Sequence, residues 1–153
     1  MSKFLGPIHY WLYGKTGHQE ALTTAVARHA QASGWIAEPS AYTKELPALE
    51  DVIDTENIHG WLQGQITDAE TRYANLVSDV LMDHGDRLAE VLRVCFLFGR
   101  ESALPPDADA AQAYQAFESF FVNGMPCDRI NIATEQSPET VSWQMAQDIH
   151  AQY

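Results

Sequence analysis

The chain has 153 residues, 21 of them acidic and 9 basic, for a formal net charge of -12. That balance disfavours any surface that must neutralise phosphates or anionic lipid, so nucleic acid and membrane are poor partners. The length suits one domain with a substantial core, and no apolar run approaches the ~20 residues of a membrane span. The stretch from Met1 to Lys15 lacks the unbroken apolar segment of a signal peptide, because Gly6, Pro7 and His9 interrupt it. Two cysteines, one inside an apolar helical pattern, suit a reducing compartment, and the expected location is cytoplasmic.

In chain order, Pro7 is suited to the first position of a helix, where its missing N–H would have no partner. Ile8, Leu12, Leu22, Val26 and an alanine-rich tail predict a first helix over about 7–33, with Gly34 as its stop. Gly14 and Gly17 fall inside it and predict either a kink or a split after the aromatic turn His9 to Tyr13. Trp35 to Leu49 carries Pro39 and Pro47 without a period and reads as a connecting loop. Ile58, Leu62, Ala69, Tyr73, Leu76 and Val80 recur at helical spacing and predict a second helix over about 55–84, capped by Thr55 and stopped at Gly85. A third is predicted over about 86–99 from an Asp86 cap and the stripe Leu88, Val91, Leu92, Cys95 and Phe98. A fourth, over about 107–122, follows Pro105-Pro106 and an Asp107 cap. Over about 129–148, alternation of Ile130, Ile132 and Thr134, then Val141, Trp143 and Met145, predicts two strands turning at Pro138. The expected fold is therefore α+β, mainly α: residues 1–153 as a four-helix bundle-like domain with a C-terminal β-hairpin packed on it.

Candidate chemistry concentrates at a few positions. If Ile132 faces Trp143, both apolar sets share a face, and the register places Cys127 opposite Asp148 with His150 one diagonal step away. The stretch Asn123 to Asp128, with Gly124 and Pro126, would hold Cys127 in a turn where a thiol can be exposed. His150 would act as base and Asp148 as its orienter, in the nucleophile, base and orienter arrangement. Asp128 and Asp148 would oppose a thiolate there, which leaves a structural turn cysteine as the competing reading. Cys95 lies on an apolar stripe and reads as core.

Glu56 and His59 form a Glu-x-x-His pair, one helical turn apart, able to share a divalent transition metal. The spacing resembles half of a ferritin-like carboxylate-bridged site, without the second pair. The competing reading is a helix N-terminal carboxylate beside a surface histidine. His9 and Tyr13, with Trp61, are candidates to line a ligand pocket. Against that, such a histidine is ordinarily half-buried and hydrogen-bonded to a carbonyl or tyrosine. Gly60 and Gly64 flank Trp61, and interior glycines each cost about 1 kcal/mol relative to alanine, so close approach of another helix or a homodimer interface is expected there. No phosphate loop, dinucleotide fingerprint or nucleophile elbow is present. The leading expectation is a cytoplasmic binding or sensory domain, homodimeric, holding a small molecule or metal ion near His9, Glu56, His59 and the Cys127 corner. The alternatives are a thiol-dependent hydrolase or transferase using Cys127 and a purely structural homodimer.

Overall fold

In the computed structural model, which describes residues 5–125 and 130–146, five helices precede a two-stranded antiparallel hairpin. They are α1 Pro7–Ala32, the single turn α2 Leu49–Val52, α3 Ile58–Leu81, α4 Leu88–Arg100 and α5 Ala110–Phe120, followed by β1 Asn131–Gln136 and β2 Val141–Met145. The fold is α+β and mainly helical, with the hairpin packed on the helices.

α1 starts at Pro7 as expected and runs unbroken through Gly14 and Gly17. His9 closes its first turn, its Nδ1 accepting the Gly6 N–H at 2.9 Å. Gly34, at φ 71°, ends it in a Schellman arrangement: the Gly34 N–H donates to Gln31 and the Trp35 N–H to Ala30. Only a residue without Cβ enters that left-handed turn without strain.

The expected boundary of the second helix shifts. Asn57, not Thr55, caps α3, accepting the Gly60 N–H, while the Glu56 N–H is turned back onto Asp54. At the other end α3 stops at Leu81, before Gly85. The Arg87 guanidinium donates to the Val80 carbonyl and occupies one of the exposed acceptors there. Asp86 sits in a 3-10 turn and makes no cap bond to α4. Asp109, not Asp107, caps α5 through a reciprocal pair with Gln112, at 2.8 and 2.9 Å. The glycines also differ from expectation. At Gly14, Gly17 and Gly64 no atom of the described residues lies within 4 Å of where a Cβ would stand, so they mark no close helix crossing among the described residues. At Gly60 a Cβ would collide with the Asn57 cap.

α1 is the central element, and its contacts with α3 pair residues about fifty positions apart: His9 with His59, and Glu20 with Arg72. The two helices therefore run in the same direction, joined by the long connection through α2. Two apolar cores lie along this pair. One contains Leu12, Leu49, Ile58, Leu62, Ile66 and Val122; the other Val26, Ala27, Ala30, Leu76, Val80 and Val91. Between them α1 buries Thr16, Glu20 and Thr23. Glu20 pairs with Arg72, which also reaches Asp68 at 3.1 Å. No described helix is long and apolar enough to cross a membrane.

The hairpin register is not the one that alternation predicts. Ile132 pairs with Gln144 and Ala133 with Trp143, and a bulge between Ala133 and Glu135 shifts the rest, so that Gln136 pairs with Val141. Ile132 and Trp143 thus occupy opposite faces, and Ile132 is exposed. The cause is α5. Trp143 packs on Tyr114 and Phe117, and Asn131, on the same face of the sheet, donates to Glu118. The turn is tied to the helix as well, because the Ala110 N–H donates to the Pro138 carbonyl at 2.8 Å.

Candidate functional site

Where α1, the end of α5 and the open end of the hairpin meet, the chain buries a lysine. Lys15 follows Leu12 by three residues on the inward stripe of α1 and is 1% exposed. Its ammonium lies 4.5 Å from the centre of the Trp11 ring, one helical turn back. It donates to Asn123 Oδ1 at 2.5 Å. The Asn123 amide donates in turn to both oxygens of Glu118, at 3.1 and 3.2 Å, and Asn131 Nδ2 donates to the same carboxylate. A cation and an anion are thereby joined through one carboxamide rather than by direct contact. Burial pulls the Lys15 ammonium down to about 8, against the attraction of Glu118, which raises it. Tyr114 is pushed up, first by burial and then by the Glu118 charge beside it.

This network backs a cleft of about 320 Å³ walled by Trp11, Met125, Ile130 and Ile132, with Glu118, Asn123 and Asn131 as its polar lining. Gly124 adopts φ 80° in the same wall, a conformation open to glycine, and turns the chain from α5 toward the hairpin. Glu118 is the charged group among the described lining residues. Lys15 sits behind Trp11 and Asn123.

Of the candidate site residues, His9, Tyr13, Glu56, His59 and Trp61 fall elsewhere. His9 and His59 meet with ring centres 5.7 Å apart, as do Tyr13 and Trp61, so the parallel pairing of α1 and α3 does gather four of them at one end. Their neighbours are structural. The Tyr13 hydroxyl donates to the Pro47 carbonyl, and Tyr13 and Trp61 flank the first apolar core. Glu56 precedes the Asn57 cap, so Glu56 and His59 are not one helical turn apart on a helix face. The Nδ1 lone pair of His9 is taken by Gly6 N–H, which leaves the proton of the neutral ring on Nε2 and no lone pair for a metal. Among the described residues no three His, Cys, Asp or Glu side chains are grouped to hold a metal ion. Cys127, Asp148 and His150 lie outside the described residues. Cys95 is half-buried at the edge of the second core, 3.7 Å from the Tyr73 hydroxyl. Burial, with Cys95 adding to it, pushes that hydroxyl up.

The cleft residues had one signal in the sequence. Lys15 stands three residues from Leu12, a charged residue on a stripe that otherwise reads as core. Asn123 lies in the segment that alternation marks as the corner before the hairpin. Glu118 and Asn131 carry no such mark, because their roles depend on the strand register. No protein family matches the chain, and no curated protein or solved structure is similar to it.

Proposed function

We propose that this protein is a small-molecule-binding domain whose ligand sits in the cleft between Trp11 and the open end of the hairpin. The observation that carries this reading is the Lys15, Asn123 and Glu118 network. A fold able to bury leucine at position 15 instead buries an ammonium, at a desolvation cost, beside a concave surface of ligand size. The lining supports one ligand class. Glu118 presents negative charge and Trp11 an aromatic ring, so the cleft suits a small planar molecule carrying N–H donors, an amine or amidine rather than a carboxylate. Lys15 would act from behind, fixing Asn123 and, through it, the Glu118 carboxylate.

The test is a panel of small aromatic amines, amidines and matched carboxylates, read by thermal stabilisation and tryptophan fluorescence, then by calorimetry on the best binder. Donor-bearing members should bind, and Glu118→Gln should weaken them about tenfold or more, as expected for a charged hydrogen bond. Trp11→Phe should reduce the fluorescence response. Binding confined to carboxylates, or unchanged in a folded Glu118→Gln protein, would overturn the reading.

A further inference from the structure

The network behind the cleft holds the three groups that an acyl transfer needs. Lys15 is the nucleophile. Burial pulls its ammonium down to about 8 against Glu118, the charged group that acts on it among the described residues, so the neutral amine prevails above that pH. Asn123 is an electrophile in direct contact, with Oδ1 2.5 Å from Nζ. Its Cγ lies one carbonyl bond, about 1.2 Å, beyond that oxygen. Rotation of the carboxamide would bring this carbon within the ~3–3.5 Å of a near-attack geometry. Glu118 is the proton carrier: both of its oxygens accept from Asn123 Nδ2, at 3.1 and 3.2 Å, on the nitrogen that must leave. Asn131 holds the same carboxylate in place.

The order of these groups matters as much as their distances. A buried ammonium is best compensated by a carboxylate set directly against it. Here a carboxamide stands between the two charges, which leaves the lysine less basic and places an acyl carbon between nucleophile and proton carrier. Lys15 lies on α1, Glu118 on α5 and Asn123 just after α5, so folding alone assembles them.

We infer that Lys15 and Asn123 of the folded protein join in an intramolecular isopeptide bond, with Glu118 carrying the proton. The neutral Nζ adds to Cγ, and the carbonyl electron pair moves onto Oδ1. Glu118 takes a proton from Nζ and gives one to Nδ2. The pair on Oδ1 then reforms the carbonyl as the Cγ–Nδ2 bond breaks and ammonia leaves. An amine and a carboxamide thus become a secondary amide and ammonia, with no oxidant or cofactor. The bond ties α1 to the segment before the hairpin and needs no ligand in the cleft. Protein kept well below pH 8 retains the unreacted pair, because an ammonium has no lone pair to attack with.

The experiment is intact-mass spectrometry of the full chain after days of incubation near pH 9, followed by tryptic mapping. The mass should fall below the sequence mass by one ammonia, and the digest should contain a branched peptide joining residues 4–28 to 101–129 through Lys15 and Asn123. Concentrated urea should abolish the reaction, since proximity supplies the rate. Lys15→Arg, which keeps the cation, should retain the full mass. Glu118→Gln, with helix content checked by circular dichroism, should slow the loss about a hundredfold or more. An unchanged wild-type mass would overturn the inference. So would a loss of ammonia that yields no branched peptide or persists in Lys15→Arg, since either marks ring closure of Asn123 onto the Gly124 N–H. A folded Glu118→Gln protein reacting at the wild-type rate would overturn the role of Glu118. The branched peptide decides the matter even if a variant fails to fold.

Discussion

The ammonium of Lys15 and the carboxamide oxygen of Asn123, 108 positions apart in the chain, meet at 2.5 Å inside the protein. This contact joins the central helix to the segment leading into the hairpin, and Asn123 passes its influence on to Glu118. The site is therefore as much a clamp on the hairpin as a lining for the cleft.

The buried lysine gives stability a definite pH dependence. Its folded value of about 8 lies below the 10.5 of a free lysine. Between those values the unfolded chain binds more protons than the folded one, so stability rises with pH. Below about 8 the cost of burying the charge is fully present. The shift sets an upper bound of roughly 3 kcal/mol, and water in the cleft should reduce this to about 1–2 kcal/mol. Urea unfolding of wild type and Lys15→Met at neutral pH and near pH 10 isolates the effect. The wild type should gain on the variant by that amount, and parallel pH profiles would show that Lys15 is not the titrating group.

Glu20 and Arg72 form an ion pair between the two apolar cores, with the Glu20 side chain 5% exposed. Removing one partner strands a charge, so Arg72→Met should cost about 3 kcal/mol. Glu20→Leu combined with Arg72→Met should recover most of that loss. Chemical denaturation of the two single variants and the double variant checks this, and additive losses would contradict it.

The start of α3 predicts a non-additive pair. Asn57→Ala should cost about 1 kcal/mol through loss of the cap. Gly60→Ala should be close to neutral in the wild type, because the methyl group displaces the Asn57 side chain while improving helix propensity. On the Asn57→Ala background the same change should stabilise by up to about 1 kcal/mol. Melting temperatures of the four proteins complete the cycle, and equal effects of Gly60→Ala on both backgrounds would refute the steric account.

The strand register is testable by cross-linking. Ile132→Cys with Gln144→Cys joins paired positions and should oxidise to a disulfide. Ile132→Cys with Trp143→Cys, the pair that alternation predicts, should not, since those side chains lie on opposite faces. Thiol titration and mass spectrometry under the same oxidant distinguish the two.

The sequence by itself determined the order and approximate span of the long helices, the Gly34 stop and the presence of a C-terminal hairpin. These follow from periodicity and turn chemistry that act within a few residues. Even locally its reach was limited at the caps, where Asn57 and Asp109 prevailed over Thr55 and Asp107 by reaching an N–H three residues ahead. Tertiary structure decided the rest. The hairpin register follows Trp143 on α5 and Asn131 on Glu118, because stacking an aromatic ring against α5 and pairing a carboxylate outweigh ideal alternation. The gathering of Lys15, Glu118, Asn123 and Asn131 around one cleft rests on contacts between distant segments. No local spacing encodes them; packing helices and hairpin around α1 does.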